Sequence, residues 1–102
     1  MAIYALSFRI KDEGNADERR QSLVDKVNEL TNEGAWDGTT SFFVFESDWT
    51  PSKWCRTLRL DTKFDPDKGD KIVVLDLTNR DWDQRGANDD DLKELLDRMK
   101  NE

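Results

Sequence analysis

The first side chains that could do chemistry are Asp12 and Glu13, in the run Ile10-Lys11-Asp12-Glu13-Gly14. Neighbouring carboxylates supply the hard oxygen ligands that a magnesium ion takes, and a metal held there could activate water. They stand in a loop beside Gly14, where positioning is poor. The expectation is therefore no catalytic residue, no metal and no cofactor, with Asp12, Glu13 and Mg as the alternative. Asp65, Asp67 and Asp70 crowd around Gly69 in DPDKGD. A calcium loop has its glycine sixth and a bidentate glutamate twelfth, whereas here the glycine is fifth and Asp76 takes the final place, which reads as a solvated turn.

The chain contains no histidine. Histidine general bases, Cys/His and Ser/His nucleophile pairs and histidine-ligated zinc are thereby removed within one chain. The single cysteine, Cys55, lies beside Trp54 and reads as a small hydrophobe. Lys53, Arg56, Arg59 and Lys63 form a positive stripe, to which Arg19 and Arg20 add charge. With Trp49 or Trp54 as stacking surfaces the stripe could contact nucleic-acid phosphates. A solvated helix face is the simpler reading, and the net charge of −7 disfavours indiscriminate nucleic-acid or membrane binding. The acidic clusters, Asp12, Glu13, Asp17 and Glu18 early and Asp89 to Asp91 late, could occupy a basic groove on a nucleic-acid-binding partner. Most of them are also explained by the preference of carboxylates for helix N-termini.

Positioning falls to a chain of 102 residues, room for one domain, expected over 1–102 with a core at about 1–80. In IYALSFRI, Tyr4, Leu6, Phe8 and Ile10 share one face and Ala5, Ser7 and Arg9 the other, which predicts strand 1. Asn15 and Glu18 resemble a capping box, and Leu23, Val24, Val27 and Leu30 predict helix 1 over about 16–33, stopped by Gly34. An Asp-Gly turn signal follows Trp36, predicting a short strand 2 that returns as strand 3 over about 40–47. Thr50 and Pro51 open helix 2, to about 60. KIVVLDLT is apolar on both faces for most of its length and predicts a central strand 4. After NRDWDQRG, Asn88 and the aspartates cap a terminal helix over about 88–100.

Strand, helix, strand, strand, helix, strand, helix predicts an α+β fold, a ferredoxin-like βαββαβ sandwich with an additional C-terminal helix. Its crossover helices cover one sheet face, yet strands 3 and 4 are apolar on both. A second copy of the chain covers the other most economically, so a homodimer is expected, with Arg9, Phe43 and Phe45 at its interface. The longest apolar run, IVVL, is far short of the ~20 residues that span a bilayer, and no basic leader opens the chain. The expected location is cytoplasmic, with no membrane partner.

MAIYALSFRI at the start, SFFVFES after a Trp-bearing hairpin, and TPSKWCRTLR leading into DKGDKIVVLDLTNRDW together resemble the small SinR-like bacterial proteins, distant relatives of the CRISPR-associated adaptation endoribonuclease. The likeness covers about residues 1–83. It implies a ferredoxin-like fold and a dimer packed through sheets. In the nuclease relatives strand 1 ends in an aspartate, and the resemblance implies a divalent metal for phosphodiester hydrolysis held by one such aspartate from each protomer. The matching position here is Arg9. A guanidinium about 4 Å from a divalent cation costs roughly 8 kcal/mol at an effective dielectric of 20. The expected function is thus a non-catalytic dimeric interaction or regulatory module of a bacterium or phage. A metal-dependent ribonuclease using Asp12 or Glu13 is the alternative.

Overall fold

The computed structural model describes residues 1–101, so only Glu102 of the expected domain lies outside the described residues. Strands β1 (Ala2–Arg9), β2 (Trp36–Thr39), β3 (Phe42–Ser47), β4 (Lys71–Asp76) and β5 (Asp81–Arg85) form one sheet in the order β2-β3-β1-β4-β5. Every neighbouring pair is antiparallel. Helices α1 (Ala16–Leu30), α2 (Pro51–Asp61) and α3 (Asp90–Asn101) complete an α+β fold. None of them is long and apolar enough to cross a membrane.

Alternation works as expected in β1: Tyr4, Leu6 and Phe8 are buried, while Ser7 and Arg9 are exposed. From the same side of the sheet, Phe43, Phe45, Ile72 and Val74 join Leu23 and Val27 of α1 and Trp54, Cys55 and Leu58 of α2 in one core. Thr50 caps α2 by accepting the Lys53 N–H at 3.1 Å, and Pro51 takes the first turn, where its missing N–H costs nothing.

Five local expectations need correction. The Asn15 side chain makes no capping bond to the helix backbone; its Oδ1 accepts from Arg19 at 2.6 Å instead. Helix α1 ends at Leu30, earlier than expected, because Thr31 Oγ1 bonds back to the Val27 carbonyl and Asn32 and Glu33 turn left-handed. Asp37 and Gly38 lie within β2 and the hairpin turns at 40–41, because the Trp36 ring lies so close over Gly38 that a Cβ there would sit 2.3 Å from it. In addition, DWDQR is a fifth strand, in a stretch to which the sequence pattern assigns no element. Asp76 anchors the turn before it, accepting the Thr78 and Asn79 N–H groups at 3.1 and 2.9 Å. Helix α3 is capped by Asp89, which accepts the Leu92 N–H at 3.1 Å, and not by Asn88.

The end of the sheet at which β1 finishes and β4 begins is tied by a buried ion pair. Arg19 on α1 is 1% exposed and Asp70, just before β4, is 0% exposed. All five guanidinium donors are used: Nε to Asp70 Oδ2 at 2.9 Å, Nη2 to Asp70 Oδ1 at 3.4 Å and the Lys11 carbonyl at 2.8 Å, and Nη1 to the Glu13 carbonyl at 3.1 Å and to Asn15. Asp70 also accepts the Lys11 and Asp65 N–H groups at 2.9 and 3.0 Å, which fills its lone pairs. Gly86 closes over it, with φ of 77° and no room for a Cβ, which would lie 2.0 Å from the Asp70 carbonyl oxygen.

A buried pair in which each partner is saturated is costly to break from one side, since the survivor keeps an uncompensated charge. Arg19→Met is expected to lower the unfolding free energy by about 3–5 kcal/mol in urea titration. A loss below about 1 kcal/mol, typical of surface substitutions, would contradict this role.

Candidate interaction surface

The catalytic alternatives can be placed one by one. Asp12 and Glu13 are exposed, and the loop carrying them is held more firmly than its glycine suggests, since Arg19 binds the carbonyls of Lys11 and Glu13. Arg19 fixes the backbone and leaves both carboxylates in solvent. No group of three or more His, Cys, Asp or Glu side chains that could hold a metal occurs among the described residues. In the aspartate-rich turn, Pro66–Lys68 forms a 3-10 turn capped by Asp65, as a turn reading requires, but Asp70 is withdrawn from solvent to Arg19.

The positive stripe on α2 and just beyond it is largely engaged within the chain. Lys63 pairs with Glu18 at 3.0 Å, Arg59 lies 4.0 Å from Asp67, and Lys53 Nζ stands 4.3 Å from the centre of the Trp49 ring. Arg56 is exposed. Trp54 is buried and Trp49 is half-buried against it, ring centres 4.9 Å apart, so Trp54 is not available for stacking on bases. Arg19 belongs to the buried pair and adds nothing to the stripe.

Phe43 and Phe45 are 2% and 4% exposed under the helices, on the face opposite Arg9. They cannot share an interface with it. The strand register places Phe42 and Val44 on the side of Arg9 instead, since Phe42 pairs with Ser7 and Val44 with Ala5. On that side one cross-strand row runs the full width of the sheet: Trp36, Val44, Ala5, Leu75 and Trp82, each the direct partner of the next. Beside it runs a second row, Phe42, Ser7, Val73 and Gln84.

Among the described residues no helix covers most of this face. Trp36 is 54% exposed and Phe42 36%, and their rings meet edge to face at 6.4 Å. Ile3 and Leu77 are also exposed. Helix α3 lies only along the β5 margin, where the Trp82 indole donates to Asp97 at 3.3 Å and Lys100 pairs with Asp81 at 3.2 Å. Between α3 and the strands a shallow groove is lined by Lys71, Ala87, Leu92 and Leu95, and it continues over Val73 to Arg9.

An uncovered apolar face follows from strands 3 and 4 being apolar on both sides, but the continuation of its row to Trp82 escaped the sequence reading, which assigns no element to DWDQR. The alternation of Phe42 and Val44 against Phe43 and Phe45 carried the signal. Arg19 was also missed as a structural residue, although it lies four and eight positions before Leu23 and Val27 and so on the same helix face.

Two groups in the core respond to alkali. Burial first, then Asp83, pushes the Cys55 thiol from 9.0 up to about 12, so it is not a nucleophile at neutral pH. Burial first, then the charges of Asp76 and Asp81, pushes the Tyr4 phenol from 10.0 up to about 12, and its hydroxyl donates to the Trp49 carbonyl. Both pKa values are raised by folding, so their stabilising effect is whole below the unfolded values and is lost as pH rises through the folded ones. The urea midpoint is expected to fall between about pH 9 and 12, less steeply in Tyr4→Phe; an equal slope in both proteins would contradict the assignment.

The chain matches no family model, no curated protein and no solved structure.

Proposed function

We propose that this chain is a non-catalytic interaction module of a bacterium or its phage, with a ferredoxin-like core, acting as a homodimer through the open face of its sheet in the bacterial cytoplasm. The antiparallel order β2-β3-β1-β4, with one helix between β1 and β2 and another between β3 and β4, supports the ferredoxin-like reading; β5 and α3 extend it. Its similarity to the SinR-like group supports the dimeric, sheet-packed arrangement. Arg9 in place of a strand-ending carboxylate supports the absence of catalysis, as does the exposure of Asp12 and Glu13.

The observation that carries the reading is the apolar row from Trp36 to Trp82. A contiguous apolar patch across a whole sheet face, crowned by half-exposed aromatics, is uncommon on a monomer's surface and usual at a protein contact. Core residues on the other face already satisfy folding, so the open row is free to serve binding.

Light scattering is expected to give a dimeric mass that Val44→Glu reduces to that of a monomer, with a change in folding stability of no more than about 1 kcal/mol because Val44 faces outward. A monomeric wild type at micromolar concentration and above would contradict the dimer. Magnesium- or manganese-dependent RNA cleavage abolished by Asp12→Ala would overturn the non-catalytic part.

A further inference from the structure

Helix α3 carries Leu92, Leu95, Leu96 and Met99 at the spacing of one apolar stripe, yet none of its residues is buried and Leu95 is 60% exposed. Asp97 and Lys100 tie its last turns to β5, whereas its first turns are parted from the strands by the groove. That groove consists of two adjoining hollows, about 590 and 210 Å³, which share Lys71 and Ala87. Ligand pockets run to about 300–1,000 Å³, so the space suits a small molecule.

Two cations stand at one end of it. Arg9 and Lys71 are direct cross-strand partners, both exposed, and neither side chain has a hydrogen bond or ion pair with a described residue. Like charges set opposite each other work against the strand ladder, so an anion held between them relieves a repulsion and gains two charge-assisted contacts. Asp89, the acidic side chain of the lining, does not serve as that anion. Its Oδ1 caps α3, accepting the Leu92 N–H at 3.1 Å.

We infer that the groove binds a free long-chain carboxylate, its head group on Arg9 and Lys71 and its hydrocarbon tail along Val73, Ala87, Leu92 and Leu95. The walls select this occupant. Strands β1 and β4, which form the strand side of the groove, are each paired on both sides, and the uncharged polar side chains of the lining are Ser7 and Asn88. An extended peptide laid there would carry backbone N–H and C=O groups onto an apolar floor with few partners for them. A methylene chain carries none. A net charge of −7 repels an anionic bilayer, so the carboxylate comes from solution and not from a membrane surface. The groove lies toward β5 and α3, away from Trp36 and Phe42 at the β2 margin, and its occupancy does not rest on the dimer.

Titration of the full chain with decanoate at one fixed protein concentration, followed by methyl NMR and calorimetry, tests the site. Saturable shifts are expected at Val73, Ala87, Leu92 and Leu95, with Val44, Leu23 and Leu58 unmoved. Hexanoate is expected to bind at least about tenfold more weakly, because each methylene fully withdrawn from water contributes about fourfold. Arg9→Glu and Lys71→Glu, each shown to be folded by circular dichroism, are each expected to weaken decanoate binding about tenfold. Decyltrimethylammonium, with the same tail and a cationic head, is expected to bind at least about tenfold more weakly than decanoate. No saturable decanoate binding, equal binding of the two head groups, or decanoate binding unmoved by either charge reversal would overturn the proposal. Capture of the chain by phosphatidylglycerol vesicles without binding of free decanoate would overturn it in favour of a membrane surface.

Discussion

Arg19 and Asp70 hold together the part of the molecule on which its open surface depends. The guanidinium spends every donor and the carboxylate every lone pair, so the pair binds the loop after β1, the start of α1 and the turn before β4 into one unit. Because Lys11 and Asp70 are joined there, the register that sets Arg9 beside Lys71 is fixed from the adjoining residues. A buried pair contributes little net stability over a well-packed apolar substitute, but its geometry is demanding, and here that demand falls on strand alignment. One contact in the core thus determines which charges stand side by side on the outside.

The sheet divides the chain's apolar residues into two sets on opposite faces. Those facing α1 and α2 form the folding core, with Tyr4 stacked on Phe45 and Phe45 against Trp54 at ring separations of 5.6 and 4.8 Å. Those facing outward make the row from Trp36 to Trp82, which α3 borders without covering. Few polar residues are spent on the outer centre, whereas charge is concentrated at its ends and on α2. This separation explains how a chain with net charge −7 and only 35% hydrophobic residues still leaves apolar side chains on its outer sheet face.

Period-two alternation in β1 and β3, and the Thr50-Pro51 start of α2, were legible because they depend on local geometry alone. The strand in DWDQR was not, since Trp82 is its only apolar residue and its charge is accommodated by a pair internal to the strand, Asp83 with Arg85 at 2.9 Å. Asp37-Gly38 looked like a turn because the same glycine that suits a turn also makes room for the ring of Trp36. Arg19 and Asp70, 51 residues apart, carry no mutual signal in one sequence. Of the candidate sites, the outward side of β1 was legible and the inward place of Phe43 and Phe45 followed from the same alternation, but their assignment to an interface conflicted with it.

The most direct test of the open face as the contact between copies is a dilution series followed by NMR. The account predicts concentration-dependent shifts for Trp36, Val44, Val73, Leu75 and Trp82, with Leu23, Leu58 and Val74 unmoved. Shifts confined to the α2 residues Lys53, Arg56 and Arg59, or no dependence on concentration at all, would contradict it.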